Sequence, residues 1–327
     1  LFRSISDVTI GGAISTGTHG TSLRWGTLSD FVCSLTLVAA NGEVITLNGD
    51  SSPNELRAAR VSIGLLGVIV EVELKVVDMP WVRHVTYEWD LESFLTKRNY
   101  LFENYEHIWV KWLLGTNKTY ITCLESRAIG EEGFYPYVFE DNARWGDRPP
   151  PRTSSYIRSV LGQFECAKKI KSQLVKLGLL MKPQGHSRNA ESINATDVRM
   201  SMQYGMSLSK LESSIDAILK STFPVLNPER IIELKFLKGG DSSFLGSNVG
   251  SDAVLFNLWW VVGWDNRFEI FKPFEEAMCE MYGRPHWGKL HTVPTLNYLR
   301  KIFPNWDEFD SVRAKFDPQR IFWTFND

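Results

Sequence analysis

The sequence predicts an α+β fold in two unequal parts, and three observations carry that expectation. Between Asp7 and about Val77, β-branched runs alternate with glycine-bearing turns, which is the signature of short strands. Beyond Asp78-Met79-Pro80, strands and helices follow in blocks without strict βαβ alternation; that pattern suits an antiparallel sheet flanked by helices better than a doubly wound parallel one. The third observation is size. A chain of 327 residues, 43% hydrophobic and 23% charged, has globular composition and is long enough for two cores and a buried cleft.

In chain order, strands are expected at 34–38 and 67–74. Asn41-Gly42, between "LTLVAA" and "EVITL", predicts a type I′ hairpin, because both residues tolerate positive φ. Residues 53–60, "PNELRAAR", predict a helix with proline in its first turn. Strands follow at 109–112 and 119–122, then a proline-bearing loop over 144–155. Helical periodicity runs over 157–180 and 208–219, strands over 230–236 and 253–258, and helices over 271–281 and 305–316.

A net charge of −2 supplies no basic field, so nucleic acid is excluded as a partner. The local Lys168-Lys169-Ile170-Lys171 run reads as a solvated helix face. Cys33, Cys123, Cys166 and Cys279 lie far apart and match no zinc spacing, so they are expected as free thiols. No apolar run approaches the roughly 20 residues of a membrane helix, which makes the expected protein soluble or peripheral. The compartment is not legible. Two triplets, at Asn117 and Asn194, fit the glycosylation pattern. The chain opens without an initiator Met or a signal peptide, as though inside a domain.

Three stretches carry chemistry. Gly11-Gly12-Ala13-Ile14-Ser15-Thr16-Gly17-Thr18-His19-Gly20-Thr21 removes side-chain bulk, which allows backbone N–H groups to approach a phosphate or a flat ring; the alternative is a plain turn. Its spacing matches neither the Rossmann nor the Walker pattern. On "IELKF", Glu233 and Lys235 stand two apart and face one way if the segment is a strand. "GRPHWGKLH" (283–291) could be a surface turn, a metal site or an active-site wall. His286 and His291 have no acidic or thiol partner nearby in sequence, so no metal site is expected.

Together "SDVTIGGAISTGTHGTSLRWGTLSDFVCSLTLVAANGEVITL", "AARVSIGLLGVIVEVELKVV", "GRPHWGKLHT" and "FPNWDEFDSVRAKFDPQRIF" resemble, in the same order, the sugar-1,4-lactone oxidases of the vanillyl-alcohol-oxidase flavoprotein superfamily. The resemblance is weakest between about Leu113 and Ser192. It implies that residues 1–78 form the carboxyl-terminal portion of a PCMH-type FAD-binding domain. Residues 79–327 would form a cap domain with an antiparallel sheet flanked by helices, and 282–327 would return toward the flavin. It implies FAD as cofactor, contacted by Ser4, Gly11, Gly12, Thr16, Gly17, Thr18, His19, Gly20, Gly67, Val68, Ile69 and Lys289. His19 would either touch the ligand or act as a structural hydrogen-bonder. The catalytic set carried over is Glu233, Lys235, His286 and Lys289. Lys289 would stabilise negative charge on the reduced flavin, and His286 would orient or deprotonate the reacting hydroxyl.

The implied reaction is oxidation of a sugar-1,4-lactone at C2 by hydride transfer to flavin, giving an ascorbate-type product. The alternatives are an alditol oxidase of the same superfamily or a catalytically silent remnant. Electrons would pass to O2 or to a cytochrome c-like carrier. Family members are often found at mitochondrial or microsomal membranes. Three departures are visible. Lys235 stands where the family usually has Arg, which removes bidentate recognition. Arg3 replaces a small residue that governs oxygen access, so oxidase and dehydrogenase both stay open. Arg320 and Thr324 replace the family's terminal Gly and Asn. The family also carries an upstream flavin lobe, so the chain is expected to be a fragment that alone holds FAD weakly or not at all.

Overall fold

A computed structural model describes residues 8–136, 199–221, 231–261 and 267–322, apart from Met79, Gly115, Ala128, Ile129, Glu131, Phe134 and Val293. The loop expected over 144–155, the helix over 157–180, the basic run at 168–171, Cys166, the Asn194 triplet, Thr324, Arg3 and the proposed flavin contact Ser4 lie outside the described residues.

The fold is α+β with antiparallel pairing between its strands. A small sheet runs in the order β2 (Val44–Asn48), β1 (Val32–Val38), β3 (Val68–Leu74). The strands of the large sheet are β4 (Trp81–Asp90), β5 (His107–Leu113), β6 (Lys118–Arg127), β7 (Tyr135–Pro136), β8 (Arg199–Ser207), β9 (Ile231–Leu237), β10 (Ala253–Val261) and β11 (Arg284–Pro285). Their order is β11-β8-β10-β9-β5-β6-β4-β7.

One face of the large sheet is apolar. Val110 and Trp112 of β5, Ile232, Leu234 and Phe236 of β9, and Val254, Phe256 and Leu258 of β10 are buried in a core with residues of three helices, α3 (Leu91–Asn104), α4 (Leu211–Ser221) and α5 (Arg267–Glu280). The period of two then turns Glu233, Lys235, Trp109 and Lys111 to the opposite face. A second core joins Leu35 and Leu37 of β1 and Leu56 of α2 (Pro53–Arg60) to Leu299 of α6 (Leu296–Ile302) and Phe309 and Phe316 of α7 (Trp306–Phe316). The carboxyl-terminal helices therefore pack on the small sheet, although the chain reaches them from the large one.

Two local expectations need correction. The hairpin at Asn41-Gly42 is not type I′: Gly42 alone of the pair has positive φ, at 84°. Gly42 N–H bonds Ala39 O, and Ala39 N–H bonds Glu43 O, which makes a three-residue loop with glycine in the left-handed position. The glycine-rich stretch is not loop throughout. Ile10–Ser15 forms a short helix, α1, because Thr9 Oγ1 caps it by accepting from Gly12 N–H at 3.1 Å. The other expected strands and helices within the described residues stand where expected, with ends shifted by a few residues, and β4, α3, β7, β8, β11 and α6 are additional.

Candidate active site

The strand register places a polar row across the non-helical face of the large sheet. Gln203 on β8 pairs with Asn257 on β10, Asn257 with Glu233 on β9, and Glu233 with Lys111 on β5. One pleat along, Lys235 pairs with Trp109. Directly opposed residues share a face, so sequence-distant side chains are collected into one patch.

Opposite this row runs the loop that carries His286 and Lys289. Helix α5 ends in a Schellman motif, with Gly283 N–H bonded to Met278 O and Tyr282 N–H to Cys279 O. Tyr282 takes the left-handed position at φ 62°. Residues 284–285 then pair with β8, and His286 N–H bonds Gln203 O at 3.0 Å. Behind the loop, the fully buried Glu275 accepts from Tyr204 OH at 2.7 Å, Thr292 N–H at 2.6 Å and Thr292 Oγ1 at 2.5 Å. Glu275 thus ties the loop to α5 and β8. Trp287 closes the other side by donating to Leu245 O and stacking on Phe303.

The three stretches singled out in the sequence meet here. Lys289 Nζ donates to Asn257 Oδ1 at 2.6 Å, and Asn257 Nδ2 donates to Glu233 Oε2 at 3.1 Å. Trp259 Nε1 donates to the same oxygen at 2.6 Å, and its ring lies 5.1 Å from Lys289 Nζ. The rings of His19 and His286 are 5.4 Å apart. Thr16 lies against Gly288, where an added Cβ would come within 3.1 Å of Thr16 Oγ1. A small cavity bounded by Thr16, Gly17, Val61, Leu245 and His286 lies at this junction.

His19 uses both ring nitrogens on protein: Nδ1 donates to Gly20 O at 2.7 Å and Nε2 accepts from the Gln203 amide at 2.6 Å. Its pKa is pushed down to about 3, by burial first and then by the Lys235 charge. His286 is held well below its ordinary value, chiefly by burial and then by His19 and Lys289. Its Nδ1 accepts from Gly288 N–H at 3.1 Å, which puts the ring proton on Nε2. The Lys289 ammonium is pushed down to about 7 by burial and by Lys235, with Glu233 acting the other way. Lys235, also buried, is lowered by burial first; Glu233 opposes that shift and Lys111 adds to it.

Gly67 immediately precedes β3 and Val68 and Ile69 begin it, with Ile69 beside α1, where an added Cβ at Gly11 would meet it. Gly67 also has a packing reason of its own. Its φ is 146°, and a Cβ there would overlap Val38 O. His291 bonds Lys289 O through Nδ1 and faces Trp287 edge-on. Sequence reading passed over Asn257, Gln203, Trp259, Trp109 and Lys111. A lone amide in an apolar strand, as in "VLFNLWW", was the available signal.

Comparison with known proteins finds family models that match both ends of the chain. Residues 214–326 match the family model described as D-arabinono-1,4-lactone oxidase, and residues 1–48 match an FAD binding domain. The chain is a relative of the sugar-1,4-lactone oxidases and dehydrogenases. It is 28% identical to the L-gulono-1,4-lactone dehydrogenase of Mycobacterium tuberculosis over 96% of this chain and 71% of that protein. It is 26% identical to the L-gulonolactone oxidase of Mus musculus over 98% and 72%. The D-arabinono-1,4-lactone oxidase of Yarrowia lipolytica is 38% identical over a shorter stretch, 33% of this chain and 21% of that protein. Among the described residues, no helix is long and apolar enough to cross a membrane, and no group of three His, Cys, Asp or Glu could hold a metal ion.

Proposed function

We propose that this protein is an FAD-dependent oxidoreductase that oxidises a sugar-1,4-lactone at its C2 hydroxyl, with Glu233, Lys235, His286 and Lys289 as the groups that do so. The observation that carries this reading is Asn257, which joins Glu233 to Lys289 through its two ends. The acid of one strand and the lysine of a distant loop are thereby held as one unit, in a chain whose ends match a lactone-oxidase model and an FAD-binding model.

The residues present fit the cofactor on two counts. Lys289 and Lys235 point into the cluster, and its one carboxylate, Glu233, is already held by neutral donors, so the site carries positive charge in excess. On β3, Val68 and Val70 are 57% and 58% exposed, which leaves open apolar surface on the strand face turned away from Gly11. When bound, FAD accepts the hydride and the negative charge that comes with it. In this reading Thr16, Gly17, His19 and Gly20 hold it from the α1 side and Lys289 from the loop. Gly11, Gly12, Thr18, Gly67, Val68, Ile69 and Ser4 complete the contacts. Residues 1–78 serve as part of the flavin domain and 79–327 as the cap, with 282–327 returning to the flavin.

Each catalytic side chain has a role that its bonds allow. Glu233 Oε2 is occupied by Asn257 and Trp259, which leaves Oε1 to accept the proton of the substrate hydroxyl. His286 is neutral with its proton on Nε2, so it orients an oxygen by donating and is not the base. Lys289 places its ammonium where negative charge develops, and that negative charge opposes the lowering of its pKa by burial. Lys235, a point charge over Trp109, binds a ring oxygen without the fork geometry of arginine.

The test is steady-state turnover of the FAD-bearing protein on aldonolactones and on alditols with an artificial electron acceptor. The reading expects aldonolactone activity; turnover on xylitol or sorbitol alone would replace it with the alditol-oxidase assignment. The same assay with O2 or a cytochrome as acceptor decides between oxidase and dehydrogenase.

A further inference from the structure

The large sheet brings one more cation to the site than the catalytic set requires. Lys111 is the register partner of Glu233 and shares its face of the sheet. Its Nζ lies 4.3 Å from the centre of the Trp109 ring, and Lys235 Nζ lies 5.3 Å from the same ring. Two ammonium groups therefore share one indole. Among the described residues, neither Lys111, Lys235 nor Lys289 has a carboxylate oxygen within ion-pair distance. The nearby Glu233 is hydrogen-bonded instead by the neutral groups of Asn257 and Trp259. Two like charges gathered at one ring cost free energy unless a counter-charge arrives.

Lys289 can be assigned to the cofactor, yet Lys111 and Lys235 still outnumber Glu233 by one. His19 and His286 are neutral, and so is Tyr120, the β6 register partner of Lys111, whose phenol is raised by burial; none of them supplies a counter-charge. The missing charge belongs to a small ligand that reaches both ammonium groups. Burial is the larger cause of the depression of Lys235; the smaller Lys111 contribution is the one that an anion shared by the two ammoniums would offset.

We propose that Lys111 and Lys235, over Trp109, form an anion subsite for the ionised ene-diol of a sugar lactone, the form that the oxidised substrate reaches before it leaves. This inference rests on the lactone reading. Loss of hydride from C2 and of the hydroxyl proton leaves a 2-keto lactone. Transfer of the C3 proton to the C2 oxygen then gives the 2,3-ene-diol with no further oxidant. That ene-diol is a vinylogous acid and releases its O3 proton at neutral pH. The substrate is neutral and the departing species carries one negative charge, so two lysines beside one carboxylate favour the latter. The subsite draws tautomerisation and ionisation forward and makes the enzyme sensitive to its own product.

The experiment is ligand binding followed by tryptophan fluorescence, which Trp109 reports without any redox turnover. An ascorbate-type ene-diol lactone, its saturated aldonolactone and the open-chain aldonate are titrated into the protein and into Lys111→Gln and Lys111→Arg. The expected result is preference for the ene-diolate over both others. Lys111→Gln should lower the ene-diolate to aldonolactone affinity ratio about tenfold, the size of one largely solvent-screened charge contact, and Lys111→Arg should restore it. Equal affinity for ene-diolate and aldonolactone, an aldonate that binds as tightly as the ene-diolate, or an unchanged ratio in Lys111→Gln would each overturn the proposal. Turnover on aldonolactones is scored separately. An active enzyme without ene-diolate preference defeats the subsite alone, and an inactive protein with the preference defeats the oxidation reading alone.

Discussion

Lys289 Nζ and Glu233 are not paired directly; Asn257 stands between them, accepting from the lysine at 2.6 Å and donating to the carboxylate at 3.1 Å. An amide can serve both partners at once, with an oxygen for the ammonium and an N–H for the carboxylate. Replacing it by an isosteric apolar residue leaves the Lys289 ammonium without its acceptor and Glu233 with Trp259 as its one remaining donor. Asn257→Leu is expected to lower kcat by about two orders of magnitude and to reduce stability by about 1–3 kcal/mol. Steady-state kinetics and urea denaturation check the two effects; a near-wild-type kcat would remove Asn257 from the catalytic unit.

The buried histidines make the fold sensitive to acid. His19 has an unfolded-state pKa of 6.5 and a folded-state value of about 3, so between those values the unfolded chain binds more protons. Stability therefore rises with pH across that window and is lost as pH falls through it. His286, His107 and His291 are shifted in the same direction, each chiefly by burial. In His19→Asn, the slope of unfolding free energy against pH between about 4 and 6 should be shallower by close to one proton, about 1.4 kcal/mol per pH unit. Denaturant titrations over that range measure the slope, and an unchanged slope would mean that His19 is charged in the folded state.

At Gly67 backbone geometry and neighbour both forbid a side chain, since φ is 146° and a Cβ would overlap Val38 O. Gly67→Ala is expected to cost about 2–3 kcal/mol, from strain and overpacking together. The loss should be equally visible without FAD, because the obstacle is β1 and not a ligand. Thermal melts with and without added flavin make the comparison.

Glu275 positions the catalytic loop without touching the site. Its carboxylate accepts three hydrogen bonds from Tyr204 and Thr292, and a glutamine would turn an N–H toward donors. Glu275→Gln should lower stability by about 1–3 kcal/mol. It should also lower kcat while the far-UV circular dichroism stays native, since the strand ladder of the sheet does not depend on Glu275. Full activity in the variant would show that the loop is held by other contacts.

Legibility differed by length scale. The alternation in "IIELKFL" placed Ile232, Leu234 and Phe236 in the core and Glu233 and Lys235 on the other face, because a strand's period of two is set by covalent geometry. The extent of "PNELRAAR" as a helix was equally local, with proline at its start. The turn at Asn41-Gly42 was read as type I′ because loop length is decided by the register between Val38 and Val44, which dipeptide chemistry does not reveal. The site itself was half legible. His286, Lys289, Glu233 and Lys235 could be named from the resemblance. Asn257, Gln203, Trp109 and Lys111 acquire meaning only from strand neighbours 20 to more than 100 residues away, and register is a tertiary fact.

The central claim is that the Glu233–Asn257–Lys289 unit oxidises an aldonolactone with FAD, and rapid anaerobic mixing tests it most directly. FAD-bearing protein mixed with an aldonolactone should lose the flavin's visible absorption in a single turnover. Lys289→Met should bleach at least about a hundredfold more slowly with the flavin still bound, as for removal of an electrostatic stabiliser of developing charge. Bleaching of the variant at the wild-type rate, or no bleaching of the wild type by any aldonolactone, would contradict the account.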